Sequence, residues 1–352
     1  AAAGRPAGIN RRDVEFGQWD AQTRTFYPDA NSREAVRVTA NRSRAHDNMV
    51  QGLLIGALGF AGFELTAQSV YVAETHPCAL NGIAAEFEIS FTTQNDFAKD
   101  FCLRSDRDIR FTIGNSFGDG AIVSVPYAEN LDLPAGRMDR QEGLAQALDY
   151  DAGDRLDMPA ILNAFDNGFR AGDAGYIPRN VRFSMNQITD VSGNYALTPD
   201  MVNEGETYLY YCGGRGTLAF GHGTFRDMAI WTDCQITFSA HSALEGVTLL
   251  QDNADDMAIR APAGARLGAQ DGCLPGGETI VMTTGGVRVA ANLQMFEATI
   301  GALGPIRFAA SPNGMQGVAI LSGDSVTGTS SGAFGFCDSA RHLDWQRLAM
   351  VQ

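Results

Sequence analysis

The residues of this chain that could do chemistry include a dense group of aspartates in its middle. Asp149, Asp151, Asp154 and Asp157 occur within nine positions, a density typical of a calcium-binding loop. The twelfth position of such a loop holds Ala160, where an EF-hand requires Glu. We therefore expect at most a non-EF calcium site, with Asp149, Asp151 and Asp154 as ligands, and a solvated loop is the alternative.

A second acidic group, Asp252, Asp255 and Asp256, precedes Arg260 and Arg266. Enzymes that cleave polysaccharides use carboxylates for acid/base chemistry or to hold calcium, often beside basic side chains. Here the three aspartates share one connection between predicted strands and do not lie on successive strands. Solvation of a loop is the favoured interpretation of this group.

The five histidines are scattered, and none has metal-ligand spacing to another. They are His46, His76, His222, His241 and His342. A phosphate-binding G-x-x-x-x-G-K-[ST] motif and an H-E-x-x-H motif are absent from the sequence. We therefore predict no catalytic and no cofactor-binding residues, and a protein that is not an enzyme.

The cysteine count is even, and no two cysteines form a C-x-x-C pair. The six are Cys78, Cys102, Cys212, Cys234, Cys273 and Cys337. Zinc ligands usually come as close pairs, so three disulfides and an oxidising compartment are predicted. Pairing of neighbours would give Cys78–Cys102, Cys212–Cys234 and Cys273–Cys337, one of about 15 connectivities. Six buried thiols are the alternative.

The composition limits the partners of the chain. Its 352 residues carry a formal net charge of −15 with only 19% charged residues, which argues against nucleic acid and anionic membranes as partners. No apolar run reaches the roughly 18 residues of a membrane span. The closest, residues 49–63, is interrupted by glycines and is expected to be a buried helix. No signal peptide precedes it, so we expect a mature or truncated form from which an upstream segment was removed.

The elements that would position these residues follow a repeat of about 20 residues. VRVA (287–290), IRFA (306–309) and VTGT (326–329) share one interval, and ATIG (298–301) and VAIL (318–321) share the same interval. Earlier, LAF (218–220) precedes ITF (236–238) by 18 residues, as AIW (229–231) precedes VTL (247–249). Such stacked repeats predict a mainly β protein, a parallel β-helix expected to be right-handed. The predicted core positions are Val247, Leu249, Val287, Val289, Ile306 and Phe308.

An antiparallel sandwich is the competing fold, since it also contains many short apolar strands. It predicts strands about 8–12 residues apart without the longer period. The persistence of the longer period favours the β-helix.

Two domains are expected. Residues 1–75 form a small α+β unit with a hairpin at 14–27 and further strands at 35–40 and 63–73. Residues 76–352 form the β-helix domain, with a partly helical excursion at about 128–205. DIRFT (108–112) resembles PIRFA (305–309), so an early coil is expected near residue 110.

The N-terminal unit also carries a family resemblance. DVEFGQWD (13–20), RTF (24–26) and AVRVTA (35–40) resemble TadG-like proteins, which are associated with assembly of the bacterial Flp pilus. CLRS (102–105) and AFGFC (333–337) are similar to later parts of longer members. Such proteins begin with a hydrophobic membrane segment that this sequence lacks.

The resemblance implies a non-enzymatic, extracytoplasmic component of the Tad/Flp pilus system, in the periplasm, at the cell surface or secreted. Its role would be pilus assembly, anchoring or adhesion, and its partners other pilus or cell-envelope proteins. The alternative is a β-helix protein that binds or degrades surface polysaccharide. Phe225 and Trp231 would then be candidate binding aromatics, although core packing is the favoured role for both.

Overall fold

The computed structural model of this chain describes most of its residues and divides it into two compact units. It describes residues 10–32, 34–44, 48, 63–75, 78, 81–112, 114–153, 155–185, 188–271, 273–274, 276–335, 337 and 346–351. Residues 1–76 with 346–352 form the first unit, and residues 77–345 form the second. Residues 49–62 of the apolar helix expected at 49–63 lie outside the described residues.

The first unit is an antiparallel sheet. Its strands are β1 (Val14–Asp20), β2 (Thr25–Pro28), β3 (Ala35–Arg42), β4 (Leu65–Thr75) and β28 (Gln346–Met350), in the order β2-β1-β3-β4-β28. The predicted hairpin is confirmed, because β1 and β2 pair with Trp19 opposite Phe26. Phe26, Ala35 and Val70 form the small core of this sheet.

The second unit is a parallel sheet of 23 strands. The strands are β5 (Gly82–Ala85), β6 (Glu88–Phe91), β7 (Asp96–Phe97), β8 (Cys102–Ser105), β9 (Asp108–Phe111), β10 (Ser116–Phe117), β11 (Ile122–Val125), β12 (Leu131–Asp132), β13 (Leu148–Tyr150), β14 (Ile188–Asp190), β15 (Asn194–Leu197), β16 (Thr207–Tyr211), β17 (Thr217–Phe220), β18 (Gly223–Thr232), β19 (Gln235–Phe238), β20 (Ser242–Gln251), β21 (Ile259–Ala261), β22 (Ala265–Leu267), β23 (Thr279–Thr283), β24 (Val287–Ala302), β25 (Ile306–Ser322), β26 (Ser325–Gly328) and β27 (Ala333–Gly335). Its described α-helices are α1 (Leu144–Ala147) and α2 (Met158–Ala171).

These strands form three parallel ladders. Ladder A runs β14-β16-β18-β20-β23-β24-β25-β5-β8-β11-β13. Ladder B runs β15-β17-β19-β21-β24-β25-β26-β6-β9-β12. Ladder C runs β18-β20-β22-β24-β25-β27-β7-β10. Along the chain, successive A, B and C strands make up one repeating set, which we call a rung.

Most of the register predicted from the repeat is confirmed. Val287 pairs with Ile306 and Ile306 with Val326 in ladder B, and Ala298 pairs with Val318 in ladder A. All strand pairings described in the second unit are parallel, so the antiparallel alternative is wrong. The six predicted core positions are all buried.

The pairing of AIW with VTL is wrong by one residue. Ala229 pairs with Thr248, and Met228 pairs with Val247. Since strand side chains alternate between two sides, a shift of one residue exchanges the core side for the outer side. The sequence analysis also missed ladder C, whose strands share long runs with ladder A.

The two sides of each ladder explain its sequence. Ladder B strands such as β19 alternate buried and half-buried residues, as a sheet with one wet side should. Ladder A strands β20 and β23 are buried almost throughout, and their sequences are therefore nearly continuous apolar runs. The inner side chains of all three ladders pack into one core, whereas the outer side of ladder A packs against residues between 156 and 185.

Single left-handed residues turn the chain from ladder C to ladder A. Asp227, Gly246, Glu297 and Gly317 have φ of +46°, +65°, +47° and +59° and each precedes the ladder A part of its rung. Glycine adopts this conformation freely, while Asp and Glu adopt it at a cost in free energy. The recurrence indicates that the turn is a fixed requirement of the stack.

A polar ladder lies at the turn from ladder B to ladder C. The backbone N–H of Asn95 donates to Oδ1 of Asn115 at 2.9 Å, and that of Asn115 donates to Oε1 of Gln141 at 2.9 Å. These side chains are buried, so their bonds satisfy backbone groups that water cannot reach. The repeated spacing of Phe91 to Asn95 and Phe111 to Asn115 was the signal in the sequence.

The order of the rungs differs from their order along the chain. Gly82 of β5 pairs with Ala319 of β25 on one side and with Cys102 of β8 on the other. The first rung therefore lies between the last rung and the second. Residues 151–187 must then connect the two ends of ladder A, and their apolar residues pack along its outer side.

We expect the Cys273–Cys337 disulfide to contribute most to stability among the three disulfides. The pairing of neighbours is the one present, with sequence separations of 24, 22 and 64 residues for Cys78–Cys102, Cys212–Cys234 and Cys273–Cys337. By loop entropy, replacing both Cys273 and Cys337 with alanine should lower the free energy of unfolding by about 4 kcal/mol. The matched Cys212→Ala/Cys234→Ala variant should lose about 3 kcal/mol. Urea denaturation measures both, and a larger loss in the control would contradict the ranking.

Candidate functional site

A cluster of charged side chains lies where ladder A ends near β8 and β11. Arg104, only 3% exposed, extends from the outer side of β8, and its guanidinium lies 3.5 Å from the carboxylate of Asp151 and 3.6 Å from that of Asp106. It also donates to Oγ of Ser124 at 3.2 Å. Ser124 in turn donates to Asp149 at 3.3 Å. The in-register pairing of Arg104 with Ser124, and of Ser124 with Asp149, brings these side chains together.

Two carboxylates of this cluster hold the segment that leads into α2. Asp106 accepts a hydrogen bond from the backbone N–H of Leu156 at 2.9 Å. Glu86, one rung away, accepts one from the backbone N–H of Met158 at 2.9 Å. Asp157 then caps α2 by accepting from the N–H of Ala160. The cluster therefore fixes the start of the connection that crosses ladder A.

Burial dominates the electrostatics of these carboxyl groups. Burial raises the pKa of Asp106 to about 6, although the N–H of Leu156 and the positive charge of Arg104 act in the opposite direction. Burial also raises the pKa of Glu86. A carboxylate removed from water is costly unless it is well paired. One oxygen of Asp106 is buried without a hydrogen bond in the described residues.

A small cleft of about 180 Å³ opens beside the cluster. Asp106, Arg107, Tyr127, Asp151 and Arg155 are among its lining residues. Both acidic and basic groups line it, so it offers neither a purely cationic nor a purely anionic surface. The hydrogen bonds to the backbone favour a structural role for the cluster over a reactive one.

The calcium hypothesis concerns the same region. Asp149 and Asp151 belong to the cluster, whereas Asp154 lies outside the described residues. Asp151 contacts the guanidinium of Arg104, and it accepts the N–H of Gly153 at 2.8 Å. A cation beside Asp151 would be repelled by this arginine. The calcium site remains a prediction.

The second acidic group remains in one connection, between β20 and β21. Asp255 accepts hydrogen bonds from the side chain of Gln235 and from the N–H of Met257, and Asp252 accepts one from Thr284. Asp256 is exposed. Arg266 pairs with Glu245 at 2.6 Å, a residue of ladder C. The structure does not bring these aspartates together with a basic partner within salt-bridge distance among the described residues.

The two candidate aromatics pack in the interior layers. Phe225 is fully buried, and its ring lies edge-on to Phe220 with 5.0 Å between centroids. Trp231 lies on the outer side of ladder A, where the guanidinium of Arg170 from α2 lies 5.5 Å from its ring centroid. Neither ring forms an exposed binding platform.

The structure brings together two histidines that the sequence places 19 residues apart. The rings of His222 and His241 are exposed, with centroids 5.6 Å apart and planes nearly perpendicular. Equivalent turns of neighbouring rungs hold them. The other three histidines lie outside the described residues.

Two groups of potential metal ligands occur in the described part of the chain. They are Cys212, Asp233 and Cys234, and Cys273, Glu297 and Cys337. In each group the two cysteines form a disulfide. Metal binding by cysteine requires the thiolate, so disulfide formation removes two of the three ligands.

The pattern G-x-S-x-G occurs at 114–118 and 328–332. In hydrolases its serine lies on a sharp turn from a strand into a helix. Here Ser116 belongs to β10 and donates to Asp96 at 2.7 Å, and Ser330 lies between β26 and β27 and donates to the carbonyl of Ala310 at 2.8 Å. Neither serine has the structural context of a nucleophile.

Replacement of Asp106 by asparagine should change the pH dependence of stability. Because the folded-state pKa is raised to about 6, the folded chain binds a proton more tightly than the unfolded chain. The stabilising contribution is present below about pH 4 and is lost as pH rises through 6. Acidification from pH 7 to pH 4.5 should therefore stabilise the natural protein relative to the Asp106→Asn variant in urea denaturation.

The matched control for this experiment is Asp139→Asn. A hydrogen bond from Arg137 lowers the pKa of Asp139 to about 2, so this group does not titrate between pH 7 and pH 4.5. The control should follow the natural protein over this range. If Asp106→Asn also follows it, burial does not control the proton affinity of Asp106.

No helix in the described part of the chain has the length and apolar character needed to cross a membrane.

Comparisons with known proteins separate the chain at the same place as the structure. A family with the provisional description Tad-like Flp pilus-assembly matches residues 1–70, within the first unit, and supports a Tad-associated protein. Searches of curated proteins and of solved structures returned no match. A second family profile, described as a domain of unknown function (DUF7867), matches residues 82–338. That match covers most of the chain, which therefore belongs to the DUF7867 family.

Proposed function

We propose that this protein is a non-enzymatic, extracytoplasmic component of the Tad/Flp pilus system that acts in pilus assembly, anchoring or adhesion. The observation that carries the proposal is the match of residues 1–70 to the Tad-like Flp pilus-assembly family. Three disulfides support an oxidising location, since disulfides persist outside the cytosol. Its partners would be other pilus or cell-envelope proteins.

We further propose that the N-terminal unit is TadG-like. The segments that carry the resemblance, DVEFGQWD and AVRVTA, contain β1 and most of β3. These two strands pair with each other, with Phe16 opposite Val36. The resembling residues therefore contribute to one sheet, which supports their acting as a unit.

For the second unit we propose that the three ladders are the faces of a parallel β-helix. The single core shared by their inner sides supports this, as do the left-handed turns and the ladder from Asn95 to Gln141. A β-helix predicts that Phe91 of ladder B and Phe97 of ladder C touch across one interior, as their 5.2 Å centroid distance indicates. An experimental structure tests it, and ladders packed as separate flat sheets would contradict it.

An enzyme acting on polysaccharide is the alternative that we consider weaker. Two carboxylates from neighbouring rungs, Glu86 and Asp106, are close enough for Glu86 to raise the pKa of Asp106. Both accept backbone N–H groups of the segment entering α2. A general acid or base needs a free approach to substrate. These bonds support a structural role for both carboxylates.

Deletion of the gene in the native organism tests the pilus role. The deletion should reduce the number of pili and the attachment of cells to surfaces, and the intact gene should restore both. Electron microscopy and an adhesion assay provide the measurements. Normal pili and normal attachment in the deletion strain would refute the role.

The location is tested independently of the role. Cells are treated with a thiol reagent before and after reduction, and the chain is purified from each fraction. An extracytoplasmic chain should show no reactive thiols until it is reduced, since all six cysteines are paired. Six reactive thiols before reduction would contradict the proposed compartment, whatever the outcome of the deletion.

A further inference from the structure

Three arginines lie side by side on the outer side of ladder B. Thr237, Arg260, Arg288, Arg307 and Thr327 are direct partners in consecutive strands β19, β21, β24, β25 and β26. Neighbouring strands are about 4.8 Å apart. Arg288 and Arg307 are exposed, and Arg260 is half-buried. The three side chains form what we call the arginine column.

The column lacks the carboxylates that normally accompany stacked like charges. In the described residues no carboxylate oxygen lies within 4.0 Å of Arg260, Arg288 or Arg307. The side chain of Gln235 binds Arg260 at 2.7 Å and separates it from Asp255. Like charges directly opposite each other in a sheet are destabilising. An uncompensated column in a chain with net charge −15 therefore has a cost that a bound polyanion would remove.

Three strands beyond Arg307, the same register position holds an arginine that does have carboxylate partners. Thr327 pairs with Ser90 and Ser90 with Arg110. Arg110 is 55% exposed and lies 2.7 Å from Asp132 and 3.3 Å from Glu88. A solitary arginine on this side of the ladder thus has two carboxylate partners. The three adjacent arginines of the column have none among the described residues. Their arrangement is not a general property of the surface.

One donor of the column is also buried without a partner. Nε of Arg260 is inaccessible to water and makes no hydrogen bond among the described residues. Buried donors in folded proteins nearly always have an acceptor. Nη2 of the same guanidinium holds the group in place through Gln235.

We propose that the arginine column binds a linear polysaccharide that carries carboxylate groups. A chain with repeated negative charges can engage several guanidinium groups at once, each able to hold a carboxylate with two parallel hydrogen bonds. The flanking Thr237 and Thr327 offer hydroxyl groups to sugar hydroxyls. A protein partner usually needs an apolar or aromatic anchor, and the outer positions of the neighbouring strands supply Thr, Gln and Ala instead.

Binding of polygalacturonate by the full chain tests this proposal, with neutral dextran as the reference polymer. Affinity electrophoresis should show retardation by polygalacturonate and none by dextran, and added salt should weaken it. The Arg288→Gln/Arg307→Gln variant should bind about tenfold more weakly. The control variant is Arg110→Gln, because Arg110 has the same register position but is neutralised by carboxylates. This variant should bind like the natural protein.

Two further measurements separate binding from folding. The Arg288→Gln/Arg307→Gln variant should melt at or above the temperature of the natural protein, because like charges have been removed. Arg288→Lys/Arg307→Lys keeps the charges but not the planar donors, and should bind between the natural protein and the glutamine variant. A glutamine variant that binds fully, or that loses binding together with its melting temperature, overturns the proposal.

Two other results also overturn it. Equal retardation by dextran, or none by polygalacturonate, would exclude an anionic polysaccharide as the ligand. Concentration-dependent self-association that disappears in the glutamine variant, without polysaccharide binding, would assign the column to a second copy of this acidic chain. The inference does not rest on the pilus role, because binding is measured on the isolated protein.

Discussion

The pairing of the first rung with the last is the interaction on which the second unit depends. Ala319 to Ser322 of β25 pair in parallel with Gly82 to Ala85 of β5, although more than 230 residues separate them. Without this pairing, residues 82–150 and residues 188–335 would be two separate stacks, and each would have one more open edge than it has now. With it, Phe91, Phe97 and Phe334 from both parts pack into one aromatic core, with Phe97 and Phe334 stacked at 5.1 Å.

The connection between the two parts follows from that pairing. Once the first rung lies beside the last, β13 and β14 occupy opposite ends of ladder A, about 48 Å apart across ten strand spacings. Residues 151–187 must cover this distance. α2 lies along the outer side of ladder A and buries Leu162, Phe165 and Phe169 against residues such as Leu250 and Met282. The apolar outer side of ladder A is thereby removed from water, which is why its strands are apolar on both sides.

The polar groups of the second unit divide according to what they face. Beside the connection, Arg104 is buried and Asp106 and Glu86 are half-buried. They contact one another and the backbone near α2. Those on the outer side of ladder B face water, and there charges are paired near Arg110 but not along the arginine column. The first set fixes the start of the connection, and the second set includes the surface for which we propose binding.

Local patterns in the sequence determined the hairpin of the first unit, many strands of ladders A and B, and most of the repeat. Backbone geometry acts over a few residues, so alternation in β19 and the aromatic pair Trp19 and Phe26 are visible without a structure. The family resemblance in residues 13–40 was likewise recognisable from the sequence alone. The sequence allowed several connectivities of the six cysteines, and the stacking of the rungs decided among them.

Tertiary structure alone decided which strands from distant parts of the chain are neighbours. Backbone hydrogen bonds between parallel strands are the same for every sequence. Residues 82–85 therefore contain no signal that predicts their pairing with residues 319–322. The same reason explains the one-residue error at Ala229, where apolar residues on both sides of the strand hide its register. It also explains why Arg260, Arg288 and Arg307, separated by 28 and 19 residues, were not seen as one group, since only the stacking of rungs places them side by side.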